Sequence, residues 1–203
     1  LASISFLVIV PPSLPAKNMQ ELVALAKAKP GTLNFVSSGN GSGSHLAGEL
    51  FKIATATDLT HISYKGGAQA ITDLVGGRVQ MMFSPIPAVM PQVKAGKMLV
   101  LASTGSQRAA ALPDVPTVME SGFPNFTAAS WYGVLGPAKV PAAAADALNR
   151  HINTALAAGD VKERLAAEGA DAAPATREQF AELIRADHEK WGKVIRQTGI
   201  RAD

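Results

Sequence analysis

The segment Ser37-Ser38-Gly39-Asn40-Gly41-Ser42-Gly43-Ser44-His45 sets four serine hydroxyls and three glycines between the apolar run Leu33–Val36 and a helix-forming stretch. Strand therefore gives way to loop, and the loop opens onto a helix. Glycine lets backbone approach a ligand closely, serine adds donors, and the unpaired N–H groups of a helix's first turn attract negative charge. This pattern predicts capture of an anion, a carboxylate first of all. Two further loops, Tyr64-Lys65-Gly66 and Ser84-Pro85, follow apolar runs in the same way and are read as the rim of the same site. His45 reads as a neutral capping residue rather than a ligand contact.

Enzyme patterns fit poorly. Gly39–Ser44 has serine where a dinucleotide fingerprint requires its third glycine, and it lacks the Lys-Ser or Lys-Thr ending of a P-loop. No Gly-x-Ser-x-Gly elbow occurs. His45, His61, His151 and His188 are dispersed, with no two at metal-ligand spacing. No catalytic residue, metal or cofactor is therefore assigned. A hydrolase using Ser44 and His45 is the weakest alternative, since adjacent residues at a helix start point in different directions.

Composition narrows the classes further. The 203 residues are 47% hydrophobic, 17% charged and 5% aromatic, with a formal charge of +3 and scattered basic residues. That is enough apolar content for a real core and too little basic or aromatic surface for nucleic acid. Absence of cysteine removes disulfides and thiolate chemistry without fixing the compartment. No run of about 18 apolar residues is present, and Leu1–Val10 reads as a strand rather than a signal peptide.

The elements that must position these loops alternate regularly. Strands are expected at Ile4–Val10, Leu33–Ser37, Leu59–Tyr64, Val79–Phe83 and Met98–Ser103. Helices are expected at Asn18–Lys29, Ser44–Ala56, Ala68–Val75 and Pro87–Ala95. Ser44 is the expected N-cap of the second helix, with Leu46, Leu50 and Ile53 as its buried stripe. Apolar strands alternating with helices imply a mostly parallel sheet covered on both faces, with ligands at the carboxyl ends of its strands. Beyond Thr104 a short helix closing at Gly122, one long strand or an extended crossing at Phe126–Leu135, and three tail helices are expected.

The blocks Ser37–Phe51, Tyr64-Lys65-Gly66, Leu112-Pro113-Asp114-Val115-Pro116-Thr117 and Ser130-Trp131-Tyr132-Gly133 resemble, in order and spacing, the Bug-type (TctC-like) receptors of tripartite tricarboxylate transporters. The resemblance runs over essentially the whole chain. It implies an α/β periplasmic-binding-protein-like fold (type II, Venus-flytrap) with a mostly parallel sheet flanked by helices, its second lobe complete and its first lobe largely missing. It further implies a periplasmic, non-enzymatic protein that captures a small carboxylate and presents it to a membrane permease. Ser37, Ser38, Gly39, Asn40, Gly41, Ser42, Gly43, Ser44, His45, Tyr64, Lys65, Gly66, Ser84 and Pro85 are the implied ligand-binding residues.

On this reading residues 1–12 form a crossing strand, 13–129 the ligand-binding lobe, 130–140 a hinge and 141–203 helices that pack on the first lobe. Two departures from the family pattern carry weight. About the first third of a typical family chain has no counterpart here, so half of the clamshell site is expected to be absent and affinity to fall. Surface left uncovered in that way favours a homodimer. Many relatives carry an acidic residue where Ser84 stands, and its loss favours a di- or tricarboxylate or an aromatic acid over an amino acid. A carboxylate sensor uncoupled from transport remains the alternative within the same fold.

Overall fold

The computed structural model describes residues 2–201; Leu1 of the expected crossing strand, and Ala202 and Asp203 of the expected tail helices, lie outside the described residues. In chain order the elements are β1 (Ala2–Val10), α1 (Met19–Ala28), β2 (Asn34–Ser37), α2 (Gly43–Thr55), β3 (Thr60–Ser63), α3 (Gly67–Val75) and β4 (Met81–Pro85). They continue with α4 (Ile86–Lys94), β5 (Leu99–Ser103), β6 (Ala129–Tyr132), α5 (Ala142–Ala157), α6 (Gly159–Ala167), β7 (Asp171–Ala172) and α7 (Arg177–Thr198).

The main sheet has the order β3-β2-β4-β1-β5. β2 pairs in parallel with β3 and β4, whereas β1 runs antiparallel to both β4 and β5. Strands β2 to β5 thus share one direction, and β1 alone opposes them. The sheet is mixed, because β1 enters from a second ladder rather than through a helical crossover. Its first half, Ala2–Ser5, pairs with β6 and β7, and its second half, Phe6–Val10, lies between β4 and β5.

Alternation along the strands divides the core between the two faces. Phe6, Val8, Val10, Phe35, Met81 and Phe83 join Met19 and Leu22 of α1 and Ala47 and Phe51 of α2. Leu7, Ile9, Val36 and Met82 point the other way, against Ala70 and Leu74 of α3 and Ile86 and Val89 of α4.

Several local expectations are corrected. Ser42, not Ser44, caps α2, its hydroxyl accepting from the His45 amide at 3.4 Å. The buried residues of α2 are Ser44, His45, Ala47, Gly48, Glu49, Phe51 and Thr55. Small residues let the helix settle close to the sheet, so Leu46 and Leu50 are only half-buried and Ile53 is exposed. The stretch before Gly122 forms turns rather than a helix, and the expected strand 126–135 shortens to β6.

Thr104 explains part of that shortening. Its buried hydroxyl accepts from the Phe6 amide at 2.9 Å and donates to the Ala128 carbonyl, so a side chain does what a strand ladder would. Thr104→Val keeps the shape and orphans the Phe6 amide. A loss of about 1–3 kcal/mol is expected, read as a lower urea midpoint at unchanged slope.

In the tail, α5 and α6 contain no fully buried residue. α7 docks its second half against this core, with Val194 buried and Trp191 packed on it. Trp131 of β6 secures the first half, its indole N–H donating to Asp187 at 2.6 Å and its ring meeting Phe180 edge-on. No described helix is long and apolar enough to cross a membrane.

Candidate functional site

Strands β2, β3 and β4 end at the edge where α2, α3 and α4 begin, so the three loops singled out from the sequence are brought together. Ser37, Ser44 and His45 are buried, Gly39, Asn40, Gly41 and Ser42 are half-buried, and Ser38 and Gly43 are exposed.

Inside the first loop the hydroxyls are largely occupied with one another. Ser44 Oγ accepts from the Ser38 amide at 3.1 Å and lies 3.0 Å from Ser42 Oγ and 3.3 Å from Ser38 Oγ. Ser42 Oγ donates to the Gly39 carbonyl at 2.7 Å, and the Ser42 amide donates to that carbonyl at 3.2 Å. The Gly39 amide donates to Ser37 Oγ at 3.3 Å, and the Gly41 amide to His45 Nδ1 at 3.1 Å.

The expected row of donors from Gly39 to Ser44 therefore narrows, since Gly39, Gly41 and Ser42 spend their amides on the loop itself. Gly43 and Ser44, in the first turn of α2, have amides with no acceptor among the described residues. The cage rigidifies the loop, and the helix end presents the donors.

The floor of the loop is a feature the sequence did not disclose. His45 and His61, 16 positions apart, stack with ring centroids 3.7 Å apart and planes 9° from parallel. His61 Nε2 shares a 2.7 Å hydrogen bond with Ser37 Oγ, and Phe35 packs 4.8 Å from the His61 ring. Burial, then the neighbouring His45 and Lys52, pushes His61 down to about 4. Only β-sheet register, placing His61 opposite Phe35, could have revealed the pairing. Among the described residues no cluster of His, Asp or Glu is placed to hold a metal ion.

The second loop is tied to the first. The Tyr64 amide donates to the Ser37 carbonyl at 3.1 Å and the Gly66 amide to the Ser38 carbonyl at 3.2 Å. Gly66 has φ +111°, a conformation L side chains avoid, so glycine is required for that contact. Lys65 is exposed, whereas Tyr64 donates its hydroxyl to Asp73 at 2.7 Å. That bond raises the phenol's pKa and lowers the carboxyl's, leaving Tyr64 as a brace on α3. Ser84 is fully buried in register with Leu7, and Pro85 is half-buried at the start of α4, so Ser84 lies beneath the rim rather than on it.

A cavity of about 230 Å³ opens beside the start of α2, lined by Phe6, Gly43, Leu46, Trp131, Asp187 and Trp191. Trp131 and Trp191 meet at this wall because α7 packs against α2.

A lobe of this architecture recurs in solved structures. The chain aligns with Rpa4515 of R. palustris, solved with adipate, at TM-score 0.83 and 32% identity over 98% of this chain and 67% of that one. It aligns with MatC of Rhodopseudomonas palustris, solved with bound malate, at TM-score 0.77 and 28% identity over 96% and 67%. The fold is that of the periplasmic binding proteins. Residues 1–200 match the family described as tripartite tricarboxylate transporter family receptor (TctC), and the chain belongs to that family. Protein BugT of Bordetella pertussis (strain Tohama I) is 35% identical over 201 residues, 99% of this chain and 62% of the relative. The chain thus spans about three fifths of that relative's length. The family is one of receptors rather than enzymes.

Proposed function

We propose that the protein acts in the periplasm as a solute-binding receptor, taking up a small di- or tricarboxylate or an aromatic acid and presenting it to the membrane component of a tripartite transporter. The observation that carries this reading is the pair of amides, Gly43 and Ser44, that have no acceptor among the described residues, on a hydrogen-bonded loop at the carboxyl edge of the sheet. Adipate and malate in the two solved relatives support a carboxylate as the ligand. Charge-assisted hydrogen bonds contribute roughly 1.5–3 kcal/mol each, and the helix end adds about 0.3–1 kcal/mol. Ser38 supplies an exposed hydroxyl, and the cavity walled by Phe6, Trp131 and Trp191 accommodates the body of the acid.

Calorimetric titration with adipate, malate and glutamate tests this. The two dicarboxylates are expected to bind, and glutamate to bind more weakly, because the loops Ser37–Ser44 and Tyr64–Gly66 carry no acidic side chain for an ammonium. Ser44→Ala removes the hub of the loop's hydroxyl network and is expected to weaken binding about tenfold, or about 1.4 kcal/mol. Preference for glutamate, or indifference to Ser44→Ala, would sink the assignment.

A further inference from the structure

We propose that the stacked pair His45–His61 is a clamp that holds the Gly/Ser loop in its donor-presenting shape, and that acid releases it. The inference rests on the reading of that loop as the binding loop. Its geometry is independent of any ligand.

The two rings secure both limbs of the loop from below. His61 Nε2 bonds Ser37 Oγ at 2.7 Å, and Ser37 Oγ in turn accepts the Gly39 amide. His45 Nδ1 accepts the Gly41 amide at 3.1 Å, which places the proton of the neutral ring on Nε2, facing Glu49 Oε1 at 3.9 Å. Parallel imidazoles at 3.7 Å are compatible when neutral. Protonation would set positive charge against positive charge at that separation, and a protonated Nδ1 can no longer accept from Gly41.

The surroundings bear on which state prevails. From α2 itself, Glu49 and Lys52 face the pair and pair with each other at 3.0 Å, and Lys52 disfavours a charged His61. From β2 come neutral Ser37 and Phe35, and from the end of α7 and just beyond it Gln197, Thr198 and Arg201 line a groove with Asn40 and His45. Arg201 adds positive charge and opposes a second cation. His61 is held near 4 by burial first, then by His45 and Lys52.

The sign of the pH effect follows. An imidazole depressed in the folded state binds its proton less readily than in the unfolded chain. The stabilisation is therefore complete above the ordinary value of 6.5 and is lost as pH falls from there toward about 4.

The test is an NMR titration of the protein labelled with ¹⁵N and with ¹³C-histidine, from pH 7.5 to 3.5 without ligand. The amides of Gly39 and Gly41 are expected to move together with the histidine ring carbons, His61 with a midpoint well below its ordinary 6.5, while Val8 and Ile9 in the sheet stay still. In His61→Phe, which keeps a stacked ring and removes its proton site, the Gly39 amide should lose its transition. Loop amides that do not move while the histidines titrate would overturn the proposal, as would a His61 midpoint at 6.5. The wild-type titration decides the matter even if the variant fails to fold. Adipate that binds at no pH would overturn the carboxylate reading and leave the clamp standing on the amide shifts.

Discussion

Gly48→Ala is expected to destabilise the protein by about 2–3 kcal/mol, although in an exposed helix the same change stabilises by about 0.5–1 kcal/mol. Gly48 is buried on α2, and a methyl group built there comes within 2.9 Å of three carbons of the Phe35 ring. Phe35 cannot easily yield, because it is fully buried and its other neighbours include the His61 ring at 4.8 Å. Overpacking therefore outweighs helix propensity. Urea unfolding should show a lower midpoint at unchanged slope, and Phe35→Leu in the same chain should recover part of the loss. A stabilised Gly48→Ala would mean that α2 can lift from the sheet, and the close-packed account of the loop's support would fail.

Phe83→Ala should cost more, about 3–5 kcal/mol. Phe83 sits on β4, directly opposite Val8 of β1, and its ring centroid lies 5.7 Å from Phe51 of α2 and 6.4 Å from Phe126. Phe51 and Phe126 complete the cluster at 6.1 Å, nearly edge to face. Removing the middle ring leaves a void among three elements that strand pairing prevents from collapsing. Differential scanning calorimetry should register a fall of roughly 6–20 °C, since each kcal/mol shifts a domain of this size by about 2–4 °C. Leu148→Ala, at a side chain 56% exposed, serves as the control and should change stability by no more than about 0.5 kcal/mol. A small effect at Phe83 would show that the cluster repacks.

The order of the elements was legible because apolar periodicity and punctuation agreed throughout 4–103. Pro30-Gly31 ended α1 and Gly76-Gly77 ended α3 where chain-breaking residues predict. Asn18, whose side chain accepts from the Glu21 amide at 2.8 Å, began α1 in the same local way. The rotation of α2 was not legible. Leu46, Leu50 and Ile53 carry the stronger hydrophobic signal, yet Ala47 and Gly48 face the sheet because only small side chains fit beneath Phe35. The direction of β1 escaped for a related reason: an all-apolar strand reads the same whether its neighbours run with it or against it.

The candidate site divides along the same line. Residue types and spacing alone determined that a Gly/Ser loop would leave a strand and open a helix, because turn chemistry and capping are local. They also determined the family, whose match covers residues 1–200. The tertiary structure decided which donors remain to be offered, because Gly41 bonds His45 and Ser38 bonds Ser44 only once the loop has folded back on itself. It decided, too, that Tyr64 braces Asp73, that Ser84 is covered, and that His45 meets His61. Contacts of that kind depend on strand register and helix rotation. Those are settled by packing among residues far apart in the chain, which no local pattern records.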